Sequence, residues 1–183
     1  MTDKYIVLDR DGVINEDLWG YVTTPSEFKF IKGSLEAIKK LNTNGFKIAI
    51  ATNQACINKG IVSVEELEFV HKFMKEEIRI AGGDIKYIAY CPHDYTKENC
   101  KCRKPETGLL TQIENALNIN LKDSYFVGDK ESDMACAVNY GCRALLVKTG
   151  YGQISLESKA LPNVEGSFDN LLNAVEYIIT NKE

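Results

Sequence analysis

The chain has 183 residues, 44% of them hydrophobic and 26% charged, a composition that supports a buried core and excludes a disordered or fibrous chain. Its 22 Lys and Arg against 26 Asp and Glu leave a formal charge of −4, and no basic face marks a nucleic-acid binder. No apolar run approaches the roughly 18 residues of a membrane-spanning helix, and MTDKYIVLDRDG enters a strand-like run at once, so a cytoplasmic protein with neither membrane nor nucleic-acid partner is expected.

The elements alternate in chain order. YIVLD at 5–9 is a nearly continuous apolar run, as in a strand buried on both faces. It runs into Asp9-Arg10-Asp11-Gly12, where two carboxylates two residues apart can converge on one side of a breaking strand and Gly12 permits a sharp exit. Read alone, those residues could equally be a polar turn. After Ser34, the residues Leu35, Ile38 and Leu41 recur at helical spacing, and Gly45 closes the segment. KIAIAT at 47–52 is a second buried strand and leads into Thr52-Asn53-Gln54. Ser63 and Glu66 form a capping box ahead of Leu67, Val70, Met74 and Ile78, a longer helix that ends at Gly82-Gly83. Then come a strand at 85–91, a helix at 107–117, a strand at 124–129, a helix at 132–140, a strand at 143–147 and an amphipathic helix from Phe168 to Ile179. Strands alternating with helices predict an α/β fold, a doubly wound parallel sheet with helices on both faces, formed as one domain over residues 1–183. Ligands then belong at the carboxyl ends of the strands, where the polar clusters lie.

Those clusters carry the chemistry. Asp9, Asp11, Thr52, Lys104, Asp129 and Asp133 each have a bland alternative as caps, solvated charges or helix-start residues, but together at strand ends they fit phosphoryl transfer through a covalent aspartyl intermediate. Two carboxylates and a backbone carbonyl can hold Mg²⁺, a hard cation that prefers oxygen. Asp9 would then attack phosphorus, and Asp11 would protonate the leaving alcohol and later deprotonate water, which requires its pKa to be raised above about 3.9. Cys91, His93, Cys100 and Cys102 fall close together in a chain without a secretion signal, which favours a metal over disulfides. Three thiolates and an imidazole make a closed, structural Zn²⁺ site, here a loop at 91–102. Cys56, Cys136 and Cys142 read as small buried apolar residues, and His71 as a structural helix residue.

D9-R-D-G-V-I-N15, T52-N-Q54, R103-K-P105 and G128-D-K130 with Asp133 resemble, in order, the four motifs of the haloacid dehalogenase superfamily, and the second Asp of the first motif marks its phosphatase branch. The zinc loop, C91-P-H93 to C100-K-C102-R-K-P, resembles that of the branch acting on sugar bisphosphates and histidinol phosphate. The resemblance implies Asp9 as nucleophile, Asp11 as general acid and base, and Mg²⁺ held by Asp9, the Asp11 carbonyl and Asp129. It implies Thr52 and Lys104 against the transferring phosphoryl group and Arg103 and Lys130 on the substrate. Asn53 and Gln54 would line the sugar pocket with Asn15, Asp17, Gly20 and Tyr21. The implied activity is hydrolysis of the 7-phosphate of a heptose 1,7-bisphosphate in ADP-heptose and lipopolysaccharide core precursor synthesis, by a monomer. Histidinol phosphate is the alternative substrate, and a non-catalytic zinc-bearing phospho-acceptor is the reading from another class. Neither motif interval leaves the roughly 50 spare residues that a cap domain needs, so a capless enzyme is expected. Three departures stand out: Ala55-Cys56 replaces a Ser-Gly pair, the first loop, containing Trp19, is slightly long, and the six residues between His93 and Cys100 make a short zinc loop.

Overall fold

The computed structural model describes residues 4–181. Six strands, β1 (Lys4–Leu8), β2 (Phe46–Asn53), β3 (Tyr87–Cys91), β4 (Tyr125–Gly128), β5 (Arg143–Val147) and β6 (Gly166–Phe168), form one sheet in the order β3-β2-β1-β4-β5-β6. Every pairing is parallel. The helices are α1 (Ser34–Thr43), α2 (Val64–Ile80), α3 (Gly108–Leu117), α4 (Glu131–Tyr140), α5 (Gly152–Leu156) and α6 (Leu171–Thr180).

The pleat distributes the core between two faces. Ile6 and Leu8 of β1 and Ile48 and Ile50 of β2 pack with Ile38 and Leu41 of α1, Val70 and Met74 of α2, and Val175 and Ile178 of α6. Their neighbours Val7, Ala49 and Ala51 face the other way, onto Leu109 and Ile113 of α3 and Met134 and Ala137 of α4. Strands buried on both faces cannot alternate apolar with polar, which is why they read as continuous apolar runs. The chain steps from β1 to β2 to β3 on one side and returns to β4 on the other. The switch point therefore lies between β1 and β4, where such sheets bind ligands.

Short elements escape periodicity. The 3₁₀ turn Pro25–Glu27, α5 and β6 have too few residues to show a pattern. Phe168, expected to open the last helix, ends β6 instead, and Asn170 caps α6 by accepting a hydrogen bond from the Asn173 amide at 3.1 Å. The third strand begins at Tyr87, two residues later than expected, although Ile85 is buried. Ser34 is itself the first residue of α1. Between β1 and β2 the described residues form only the 3₁₀ turn and α1, and between β2 and β3 only α2, so no cap is inserted at either point. No helix among the described residues is long and apolar enough to cross a membrane.

Candidate active site

β1 delivers Asp9 to the switch point, and the Asp9 amide continues the ladder onto Val127 O at 2.9 Å. Gly12, at φ +83°, turns the chain back. A Cβ there would overlap the Asp129 carboxylate, so the turn and the acid at the end of β4 require this glycine. The Thr149 hydroxyl donates to Gly12 O at 2.6 Å, tying this turn to the loop after β5.

Asp9 Oδ1 accepts from the Arg10 amide at 2.7 Å and is ion-paired with Lys104 Nζ at 2.9 Å. Lys104 is buried, lies 2.6 Å from Asp133 Oδ1 and donates to Ala51 O at 2.7 Å. Burial alone would depress this ammonium's pKa, but the charges of Asp133 and Asp9 outweigh it and raise it. Asn53 fixes the lysine's backbone, since its Oδ1 accepts from Lys104 N and its Nδ2 donates to Lys104 O. Asp133 Oδ2 in turn accepts from the amides of Asp129 and Lys130, closing the start of α4.

Three buried carboxylates, Asp9, Asp129 and Asp133, bring oxygens within 4.8 Å of one another. Burial and then the Asp133 charge push Asp9 up to about 6, against the pull of Lys104, and the same two causes hold Asp129 well above the ordinary range. Asp129 Oδ2 accepts from the Tyr151 amide at 2.8 Å, while its buried Oδ1 has no hydrogen-bond partner. A vacant carboxylate oxygen amid surplus buried negative charge fits a hard divalent cation.

Asp11 departs from the sequence expectation. Burial raises its pKa, but the Arg10 guanidinium overrides this, with help from Asn15 and Gln54, and the net shift is downward. Arg10 is 0% exposed and donates from Nε and Nη2 to Asp11 at 2.9–3.3 Å. Its Nη1 lies 3.1 Å from His71 Nε2. Asn15 Nδ2 and Gln54 Nε2 also donate to Asp11, and Gln54 Nε2 to Thr52 Oγ1. Asn15 and Gln54, expected on the sugar pocket, are thus fully buried behind it and orient Asp11 and Thr52.

The cleft, about 470 Å³, is lined by Asp9, Asp11, Thr52, Lys104 and Asp133 at its floor and by Asp17, Gly20, Tyr21, Asn53, Arg103 and Lys130 above. Sequence reasoning missed Lys59, Tyr95, Ser132 and Tyr151 on the same wall, because single residues from separate loops leave no local pattern. Arg103 lies 4.6 Å over the Tyr95 ring, and its buried Nη1 lacks a hydrogen-bond partner. Lys59 lies over Tyr21 and Tyr95.

Beside the cleft, Cys91, His93, Cys100 and Cys102 converge, with sulfur-to-sulfur separations of 3.2–3.7 Å and His93 Nδ1 at 3.1 Å from Cys102 and 3.5 Å from Cys91. A tetrahedron with Zn–S near 2.3 Å has edges of about 3.8 Å, so the set fits zinc. The Arg103 amide donates to Cys100 Sγ at 3.4 Å, which couples this loop to the cleft wall.

An Asp-x-Asp turn at the switch point, a hydroxyl at the end of the neighbouring strand and a buried lysine paired with the first carboxylate form the construction of the haloacid dehalogenase-like hydrolases. A family model described as HAD-hydrolase-like matches residues 101–174. The D-glycero-β-D-manno-heptose-1,7-bisphosphate 7-phosphatase of Pseudomonas putida is 40% identical over 92% of this chain and 95% of its own, and that of Neisseria meningitidis serogroup A 36% over 96% and 95%. The crystal structure of D,D-heptose 1,7-bisphosphate phosphatase from B. bronchiseptica, complexed with magnesium and phosphate, superposes with a TM-score of 0.92 at 33% identity, covering 97% of this chain and 98% of that one. The chain belongs to this heptose bisphosphate phosphatase family.

Proposed function

We propose that the protein is a magnesium-dependent phosphatase that removes the 7-phosphate of D-glycero-β-D-manno-heptose 1,7-bisphosphate, acting as a monomer of one domain over residues 1–183. The carrying observation is the floor of the cleft: Asp9 with Oδ1 doubly held by Arg10 N and Lys104 Nζ, beside the unpartnered Asp129 Oδ1. The relatives' printed substrate and the magnesium and phosphate of the B. bronchiseptica enzyme support it.

In this reading Mg²⁺, held by Asp9, the Asp11 carbonyl and Asp129, offsets the charge of the incoming phosphate. Asp9 attacks phosphorus through Oδ2, since both its bonds fall on Oδ1, and the bond to the sugar oxygen breaks. Asp11, once protonated and turned from the Arg10 fork, gives its proton to that oxygen. The resulting Asp11 carboxylate, returned to the fork, takes a proton from the water that then hydrolyses the acyl phosphate on Asp9. The lowered pKa keeps Asp11 ionised, as the second role requires, while the Arg10 fork weakens it as a base and is what the first role must leave. Lys104 and Thr52 stabilise the phosphoryl group in flight.

Arg103 supports a bisphosphate over histidinol phosphate: a guanidinium stacked on Tyr95 with a buried, unpartnered Nη1 suits a second phosphate at the far end of the substrate. Steady-state assays on both anomers of the heptose bisphosphate and on histidinol phosphate test the reading. The β-bisphosphate is expected to have the highest kcat/KM. Arg103→Ala is expected to raise KM for it at least tenfold while changing p-nitrophenyl phosphate hydrolysis far less. A higher kcat/KM for histidinol phosphate, or equal losses on both substrates in Arg103→Ala, contradicts it.

A further inference from the structure

Trp19 is the chain's only tryptophan, and it stands on the cleft wall 64% exposed. Its backbone is left-handed at φ +58°, a conformation strained for a bulky side chain and kept only where the surroundings enforce it. Asp17 enforces it: Oδ1 accepts from the Trp19 amide at 2.8 Å, and Oδ2 pairs with Lys130 Nζ at 2.9 Å. The indole lies 4.3 Å from the Tyr151 ring, centroid to centroid and tilted by 59°, while Lys130 Nζ sits 4.4 Å over the same tyrosine. The Tyr151 amide donates to Asp129 Oδ2. The loop after β1 and the loop after β5 thus meet through two rings, and each is tied to the end of β4, by the Asp17–Lys130 pair and by the Asp129 carboxylate. Their aromatic surface is fixed relative to the floor but open to water.

An exposed, pre-positioned indole gains by covering apolar surface, and the faces of a pyranose ring are C–H surfaces with hydroxyls at the rim. We infer that the Trp19–Tyr151 pair is a stacking platform for the sugar ring of the substrate, making Trp19 a specificity-determining residue. The inference rests on the sugar-bisphosphate reading above. The two phosphates are gripped at the floor and at Arg103, and the platform reads what lies between them. A substrate without a ring then forgoes this contact.

Two measurements on the full-length protein test it. In steady state, Trp19→Ala is expected to lower kcat/KM for the heptose bisphosphate at least tenfold, mainly through KM, and to affect glycerol phosphate far less, with Trp19→Tyr restoring most of the loss. Because Trp19 is the sole indole, its emission reports on itself. In Asp9→Asn, which binds without turnover, the heptose bisphosphate is expected to shift or quench that emission, while inorganic phosphate leaves it nearly unchanged. A wild-type enzyme that hydrolyses the bisphosphate while Trp19→Ala changes its KM less than twofold overturns the platform alone. So does an emission change of equal size with inorganic phosphate, which would mean that Trp19 senses charge and not sugar. A wild-type enzyme that does not turn over the bisphosphate overturns the functional reading and the platform with it.

Discussion

Arg10 is a fully buried guanidinium, and its donors are met by Asp11 and His71. To accept from Arg10 Nη1, His71 must keep Nε2 unprotonated, and burial followed by the Arg10 charge pushes it down to about 3. A histidine depressed in the fold binds its proton first in the unfolded chain. Its neutral form therefore supports the fold fully above about pH 6.5, and that support is lost as pH falls towards 3. Between pH 7 and 4.5 this residue is expected to cost the protein roughly 2–3 kcal/mol. His71→Gln, which keeps an acceptor for Arg10, is expected to lose that component of acid sensitivity, read as a smaller drop in urea midpoint between the two pH values. Equal drops in both proteins would contradict a neutral, buried His71. Lys104 makes a second case, because it separates two buried carboxylates. Lys104→Ala is expected to depress kcat on the bisphosphate and on p-nitrophenyl phosphate alike, and to destabilise the metal-free protein by roughly 3–5 kcal/mol in denaturant titration. A change confined to KM would place Lys104 outside the transition state.

At the scale of elements, the loop after β3 carries both the Cys/His cluster and Arg103-Lys104, so its metal and the cleft are expected to share a fate. Cys100→Ala removes a ligand and the acceptor of the Arg103 amide. It is expected to lose zinc by elemental analysis, lower Tm and raise KM for the bisphosphate. A protein isolated with much less than one zinc per chain, yet fully active, would contradict the assignment. The first five strands and the main helices were legible because each is a short apolar run or repeats an apolar residue at helical spacing, whereas β6 is too short for either. Asp9, Asp11, Thr52 and Asp129 stood out because each lies at the end of such a strand, and Lys104 because it directly follows the Cys/His cluster. Arg10 was not, since an arginine between two aspartates reads as a solvated turn. Its partner His71, on α2, is 61 residues away, and no local pattern connects them. The direction of the Asp11 shift was hidden for the same reason. Trp19 could be seen as an oddity of loop length, but Tyr151, which gives it meaning, comes from the far side of the switch point.

Across the molecule, both faces of one sheet are packed without an inserted cap, and the cores on the two faces share the same strands. One-domain behaviour predicts a single calorimetric transition with equal calorimetric and van't Hoff enthalpies, and two resolved transitions would contradict it. The whole fold serves to set Asp9 against Lys104 and Asp129 at the β1–β4 switch point, so the central claim concerns what Asp9 does there. Phosphorus NMR of D-glycero-β-D-manno-heptose 1,7-bisphosphate, incubated with Mg²⁺ and either wild-type protein or folded Asp9→Asn, tests it directly. The account predicts that wild-type protein converts the 7-phosphate resonance to inorganic phosphate and leaves the 1-phosphate intact, while Asp9→Asn is slower by several orders of magnitude. Loss of the 1-phosphate, or activity above a few per cent in purified Asp9→Asn, would contradict it.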